Sequence, residues 1–188
     1  VLRLPPAHSL RCDDGNITIR RYWTLSEEAP VRYKRPQECI DDFREVFDAA
    51  VSDRLRGNSA GLVMSGGLDS PTVAISARRV VDRRGSAFDL RAVTHYHENL
   101  IPHEEKYYAG LVAQALRLPI QFVNGDNCQL FDIWDDPEYR QPEPMHFAMG
   151  FRNCNPYREI SAWSRTALMG YGGDPALACL LSAHFRKL

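Results

Sequence analysis

A glycine-rich loop between an apolar run and a helical segment is the feature that most constrains the fold. The ten residues are Leu62, Val63, Met64, Ser65, Gly66, Gly67, Leu68, Asp69, Ser70 and Pro71. Glycine lacks a Cβ, so the backbone turns tightly there and its amides can approach a ligand closely. We expect Ser70 at the N-cap of the following helix and Pro71 at its first position, where a missing N–H costs nothing. A strand, a tight turn and a helix N-terminus together predict an anion-binding site.

Strand-like and helix-like segments alternate along most of the chain. We expect strands at about 61–64, 90–96, 120–123 and 167–169, and helices at about 39–55, 71–81 and 104–116. Strands that alternate with helices of ten or more residues indicate βαβ units, which the right-handed crossover rule arranges as a doubly wound, mostly parallel sheet. A helical spacing also resumes at Ile160, Trp163 and Ala167. The fold class predicted is therefore α/β.

The N-terminal region is predicted to lie outside this sheet as an arm. Turn-forming residues at 13–16 separate strand-like segments at 10–12 and 17–22, which predicts a β-hairpin. With 188 residues and 44% hydrophobic content, the chain is long enough for one core but short for two complete domains. We therefore expect an arm and linker over residues 1–35 and one domain over residues 36–188.

Charge and cysteine content argue against several classes of protein. The formal net charge is −1, so no overall field attracts nucleic acid or an anionic membrane. We interpret the arginines at 78, 79, 83 and 84 as the solvated face of a helix. The five cysteines are scattered without a C-x-x-C pair, which favours reduced thiols. No apolar run reaches eighteen residues and no secretory signal is recognised, so we expect a cytoplasmic protein without membrane or nucleic-acid partners.

The side chains of the glycine-rich loop favour phosphate together with a metal ion. The hydroxyls of Ser65 and Ser70 can donate hydrogen bonds to phosphate oxygens. Asp69 would repel phosphate unless Mg²⁺ lies between them. The loop has no lysine, so it is not a G-x-x-x-x-G-K-[ST] phosphate loop. The alternative interpretation is a tight glycine turn that carries an incidental aspartate.

The loop resembles the SGGxDS signature of the PP-loop ATP pyrophosphatases, which cleave ATP between the α and β phosphates. Three further segments narrow the resemblance to the asparagine synthetase family. Residues 4–10 with 21–23 resemble its junction between a glutaminase and a synthetase domain. Residues 103–109 resemble its acidic-then-Tyr-Ala helix start. Residues 170–174 resemble its second motif, Gly-x-Gly-Gly-Asp.

This resemblance implies the synthetase domain of an ATP-dependent, AMP-forming amide ligase, which adenylates a carboxylate, releases pyrophosphate and passes the acyl group to an amine or ammonia. It implies ATP and Mg²⁺ as cofactors, with the sheet's first and fourth strands as neighbours. Whether the protein forms a homodimer is left open. The resemblance assigns catalysis to Asp69, Asp174 and Tyr171, and Mg²⁺ to the two aspartates. ATP and pyrophosphate contacts fall on Met64, Ser65, Gly66, Gly67, Leu68, Asp69, Ser70, Val93, Thr94, Gly170, Gly172 and Gly173.

The chain also departs from that family pattern. Tyr171 stands where asparagine-forming members often have Glu, and a neutral phenol is a poor base near pH 7. Residues 175–178 replace the usual acidic and apolar continuation, and neither the glutaminase domain nor a later lysine is recognised. We therefore expect a partial, C-terminally incomplete synthetase domain. Its product is left open among asparagine, a β-lactam and a cyclised peptide, and a non-catalytic nucleotide-binding remnant is the other alternative.

Two other clusters have competing interpretations. His95 and His97 share one face of a predicted strand, with His103 nearby, which suggests either a metal site or side chains that line the mouth of a cleft. We favour the cleft. Asp135, Asp136 and Glu138 suggest a second carboxylate pair, but a proline-rich context favours a solvated loop.

Overall fold

The computed structural model describes residues 3–24, 31–85, 87–100, 104–129, 133, 135–137 and 156–173. It divides into two compact units, Val1–Ile40 and Asp41–Leu188. The strands are β1 (His8–Asp13), β2 (Asn16–Arg21), β3 (Ser59–Val63), β4 (Asp89–Tyr96), β5 (Ile120–Asn124) and β6 (Ala167–Met169). The helices are α1 (Pro36–Arg54), α2 (Asp69–Arg84), α3 (Glu105–Ala115) and α4 (Pro156–Ser161). No helix among the described residues is long and apolar enough to cross a membrane.

The first unit contains the predicted hairpin. Strands β1 and β2 pair antiparallel, with Asp13 opposite Asn16. The two residues between them, Asp14 and Gly15, have φ angles of 47° and 85°. Positive φ at both central positions defines the two-residue turn that matches the right-handed twist of paired strands. The Asp-Gly sequence is therefore what sets this register.

The second unit is built on a four-stranded sheet in the order β5-β4-β3-β6. Each neighbouring pair is parallel. The α/β class and the parallel sheet are confirmed, and the first strand of this sheet, β3, lies beside its fourth, β6. Parallel neighbours end at the same edge, so the segments that follow β3 and β6 meet there.

Helix α2 packs closely against the sheet because its buried face carries small side chains. Ala74 and Ala77 are fully buried, and they belong to the same core as Leu62 of β3. Small side chains let the helix backbone approach the sheet and hold the α2 N-terminus at the end of β3. The position of the glycine-rich loop is thus fixed at both of its ends.

A buried ion-pair cluster ties α2 to α1. Asp48 is only 6% exposed and accepts hydrogen bonds from Arg79, at 2.6 and 2.8 Å, and from Ser76, at 2.6 Å. Arg83 adds a third cationic contact at 3.1 Å. The hydrogen bond from Arg79 holds the pKa of Asp48 below its ordinary value, although desolvation opposes it. These two arginines join helices, which corrects the interpretation of a solvated face.

Two local predictions were wrong in detail. Helix α2 begins at Asp69 with Leu68 at its N-cap, so Ser70 does not cap it and Pro71 is its third residue. The Ser70 hydroxyl instead accepts a hydrogen bond from the Ser65 amide, which closes the loop on itself. The helical spacing through Ala167 also fails. Helix α4 ends at Ser161, because the Ser164 hydroxyl accepts from the Thr166 amide and starts the turn into β6.

Candidate functional site

A cavity of about 480 Å³ lies where β3, β4 and β6 end. Ligands of open α/β sheets bind beyond the carboxyl ends of strands, near the point where strand order reverses. Here that point lies between β3 and β6. The lining residues are Val63, Met64, Ser65, Asp69, Ser70, His95, Glu105, Met169, Gly170, Tyr171 and Gly172.

The glycine-rich loop is held by hydrogen bonds between its own residues. The Ser70 hydroxyl accepts from the Ser65 amide at 2.8 Å and also lies 2.8 Å from the Ser65 hydroxyl. The Gly67 amide donates to the Ser65 hydroxyl at 3.3 Å. Ser70 is buried in this arrangement, which fixes the loop against the first turn of α2. The two hydroxyls predicted to contact a ligand thus also shape the loop.

An acidic side chain from α3 contacts the same loop. The Gly66 amide donates to Oε1 of Glu105 at 3.0 Å. A Cβ built on Gly66 would lie 3.2 Å from Cβ of Tyr108 and 3.3 Å from Cα of Glu105. Glycine at position 66 therefore lets the loop lie directly on the first turn of α3.

The second glycine motif lies against the first turn of α2. A Cβ on Gly170 would lie 2.6 Å from the Ser70 amide nitrogen and 2.8 Å from Cβ of Asp69. A Cβ on Gly173 would lie 2.5 Å from Oδ2 of Asp69. Two segments about a hundred residues apart in sequence thus meet at one aspartate. Neither glycine position has room for a side chain without displacement of its neighbours.

A second cavity of about 520 Å³ lies on the other side of this contact. Its wall includes Phe43 and Phe47, whose rings stack with centroids 5.6 Å apart. It shares Asp69, Met169 and the 170–172 turn with the first cavity. Asp69 therefore lines both the cavity at the loop and the cavity beside α1.

Most of the residues assigned from the sequence come together here. Met64, Ser65, Asp69, Ser70, Gly170, Tyr171 and Gly172 line the first cavity, and Gly173 lines the second. Gly66 and Gly67 lie in the loop without lining either cavity, and Leu68 is 87% exposed. Val93 and Thr94 are buried in β4 and do not line the cavity. Asp174 lies outside the described residues.

Sequence reasoning assigned no site role to Glu105 or Met169. The acidic start of α3 was recognised only as part of a family resemblance, and nothing nearby in sequence links Glu105 to Gly66. His95 was expected at a cleft mouth, and it lines the cavity where Val93 or Thr94 was expected. A shift of one or two residues at a strand end decides which side chain leaves the sheet.

Histidines 95 and 97 pack edge to face with centroids 4.9 Å apart. Nδ1 of His97 lies 3.4 Å from Oδ1 of Asp126. Desolvation would raise the pKa of Asp126, but hydrogen bonds from Asn99 and neighbouring backbone amides bring it below its ordinary value. Within the described ranges, no three His, Cys, Asp or Glu side chains group as metal ligands.

The donor set still fits one kind of metal. Mg²⁺ is usually held by one or two carboxylates together with substrate phosphates, rather than by an all-protein cage. The cavity presents two carboxylates, Asp69 and Glu105, beside the loop. Oxygen ligands of this kind suit a hard divalent cation that enters with a phosphorylated ligand.

Comparison with known proteins identifies the family of this chain. No curated protein matches the chain significantly. The family model described as asparagine synthase matches residues 42–188, which is most of the chain and includes the cavity and both glycine motifs. The chain therefore belongs to the asparagine synthase family, a family of ATP-dependent, synthetase-type ligases.

Proposed function

We propose that this chain binds ATP with Mg²⁺ and adenylates a carboxylate, releasing pyrophosphate and then passing the acyl group to an amine. The observation that carries the proposal is the contact of the 170–173 segment with Asp69, the first residue of α2. It brings a glycine-rich anion loop and a second glycine motif to one carboxylate. A polyphosphate bound with a divalent cation uses that combination of groups.

The chemistry needs positioning more than a reactive side chain. A carboxylate oxygen of the substrate forms a bond to the α-phosphorus, and the bond from that phosphorus to the bridging oxygen breaks, so that pyrophosphate leaves with the electron pair. The amine nitrogen then bonds to the acyl carbon, the bond from that carbon to the phosphate oxygen breaks, AMP leaves with the electron pair, and the nitrogen releases a proton to solvent. Phosphoryl groups are handled largely by orientation and charge neutralisation, which backbone amides at a helix N-terminus supply.

Individual residues have separate parts in this proposal. Asp69 would hold Mg²⁺, which, when bound, neutralises charge on the phosphates. Ser65 and Ser70 keep the loop closed. Their hydroxyls would rotate to donate to phosphate oxygens. Tyr171 is 92% exposed at the cavity rim, where its hydroxyl would contact the incoming amine. The amine donor and the acid are small molecules in this account, and the product is an amide.

Product analysis tests the proposal. The chain is incubated with Mg-ATP and a panel of carboxylic acids, and AMP, ADP, phosphate and pyrophosphate are separated. AMP and pyrophosphate in equal amounts, dependent on an added acid, support adenylation. ADP with phosphate would contradict it, because that pair requires cleavage at the γ-phosphate. An Asp69→Ala variant should form no pyrophosphate, and full activity in that variant would refute the assignment of Asp69.

A further inference from the structure

We propose that Glu105 makes this site select the magnesium complex of ATP over free, metal-free ATP. The inference rests on the proposed function, since it concerns how the same cavity distinguishes two forms of one nucleotide. Glu105 would be a specificity-determining residue that acts on the phosphate end of the ligand. Its carboxylate accepts the hydrogen bond from the Gly66 amide that a phosphate oxygen would otherwise accept.

The position of Glu105 depends on the backbone rather than on the reach of a flexible side chain. Glu105 is the first residue of α3 and is partly buried. Its Cα and the Cβ of Tyr108 both come within van der Waals distance of the position a Cβ would occupy on Gly66. The hydrogen bond of 3.0 Å from the Gly66 amide to Oε1 of Glu105 forms across that contact.

The loop amides already have oxygen acceptors of two kinds. Ser65 and Gly67 donate to hydroxyls, whereas Gly66 donates to a carboxylate. A hydroxyl can rotate and donate to an arriving phosphate. A carboxylate accepts only, so it repels a phosphate oxygen at that amide and must move away or share a cation with it. Among the loop's acceptors, Glu105 is therefore the one that opposes a free anion.

Charges around the cavity point the same way. Its described lining has two carboxylates, Asp69 and Glu105, and neither lysine nor arginine. A metal-free polyphosphate therefore meets like charge without a lysine or arginine from that lining to offset it. The same two carboxylates attract the ligand once a divalent cation accompanies it, because carboxylate oxygens are ligands that Mg²⁺ prefers. Asp69 and Glu105 thus disfavour metal-free ATP and favour Mg-ATP.

A charge-neutral variant separates this role from structural support of the loop. Glu105→Gln keeps an oxygen that can accept from the Gly66 amide but removes the charge. Glu105→Ala removes both. Glu104→Gln is the matched control, because Glu104 is the residue immediately before Glu105, at the N-cap of α3, is exposed, and does not line the cavity. Its carboxylate is the hydrogen-bond partner that raises the pKa of Tyr108.

The experiment is a calorimetric titration of ATP into the four proteins, once with excess Mg²⁺ and once with EDTA. We expect Glu105→Gln to bind metal-free ATP about tenfold more tightly than the wild type. The ratio of its affinities with and without Mg²⁺ should fall by at least that factor. Glu104→Gln should keep the wild-type ratio.

Other results would overturn the inference. If the wild type binds Mg-ATP but Glu105→Gln leaves metal-free affinity unchanged, the selectivity role fails and the proposed function stands. If Glu105→Gln weakens both forms as Glu105→Ala does, Glu105 only supports the loop. If the folded wild type binds neither form and Glu105→Gln does not either, the nucleotide site and this inference fail together. Circular dichroism spectra of all four proteins establish that each is folded.

Discussion

Gly173 lies against the carboxylate of Asp69, so closely that a Cβ at position 173 would come within 2.6 Å of that side chain's Cγ. Gly170 lies against the same residue from the backbone side, where an added Cβ would come 2.8 Å from the carbonyl carbon of Asp69. Asp69 is therefore enclosed by a motif that follows it by about a hundred residues. This enclosure links the glycine-rich loop to the end of β6.

The two glycines predict different outcomes when each is changed to alanine. In Gly173→Ala the new Cβ would contact the carboxylate of Asp69, at the end of a side chain that can rotate away. We therefore expect little loss of stability. Because Asp69 is displaced, we expect about a tenfold loss of Mg-ATP affinity. In Gly170→Ala the new Cβ would contact the backbone of α2, which can move only at a larger cost in free energy. We expect about 1–3 kcal/mol of destabilisation. Urea unfolding and calorimetry measure the two effects.

Gly57→Ala is the control for this pair. A Cβ there would come no closer than 3.9 Å to any neighbour, and its φ is not positive. Its stability should stay within about 0.5 kcal/mol of the wild type. Equal destabilisation by Gly170→Ala and Gly57→Ala would contradict the close contact with α2.

Removal of the Ser70 hydroxyl should open the loop. Ser70→Ala leaves the Ser65 amide without the acceptor it has at 2.8 Å, and an unsatisfied buried donor costs about 1–3 kcal/mol. We expect that loss in urea unfolding together with weaker Mg-ATP binding. Thr72→Ala serves as the control for stability, because the Thr72 hydroxyl donates to the exposed carbonyl of Leu68, the N-cap residue of α2, and its loss should cost less than about 0.5 kcal/mol. Similar losses in both variants would argue against a closed loop.

Asp48 predicts a dependence of stability on pH. Asp48→Asn keeps the shape but leaves Arg79 and Arg83 without their shared counter-ion, which we expect to cost about 3 kcal/mol near pH 7. The pKa of Asp48 is lowered on folding, so the folded state binds a proton less readily than the unfolded state. Its contribution is present in full above the ordinary value of 3.8 and is lost as the pH falls through the lower folded value.

The measurement is the free energy of unfolding of both proteins between pH 7 and pH 2.5. The difference in the free energy of unfolding between the wild type and Asp48→Asn should stay constant down to about pH 4 and decrease at lower pH. Asp82→Asn, the control, removes an exposed carboxylate from α2. It should change the free energy of unfolding by less than about 0.5 kcal/mol at any pH. A difference that does not change with pH would mean that the Asp48 charge is not responsible.

Much of the fold followed from local signals in the sequence. The Asp-Gly turn specifies its hairpin, and β6 has the predicted bounds 167–169. The neighbouring positions of β3 and β6 were expected only through the family resemblance, because no local signal specifies which parallel strands pair. Helix starts were less predictable. Ser70 has the residue type of an N-cap, but its hydroxyl bonds the loop instead, and that depends on how tightly the loop turns.

The candidate site was predictable where residues are adjacent in sequence. Met64, Ser65, Asp69 and Ser70 of the loop line the first cavity, as its hydroxyls indicated. The Gly66 contact with Glu105 was not predictable, since it spans 39 residues and depends on where α3 lies on the sheet edge. Likewise, whether Thr94 or His95 faces the cavity depends on the residue at which β4 leaves the sheet.

We propose that Asp69 and the glycine-rich loop bind the phosphates of ATP together with Mg²⁺. The decisive experiment is a calorimetric titration of Mg-ATP into the wild type and into Asp69→Ala, side by side at near-physiological salt. We expect the wild type to bind in a way that requires Mg²⁺, and the variant to lose that binding. Equal binding by both proteins, or no binding by a folded wild type, would contradict it.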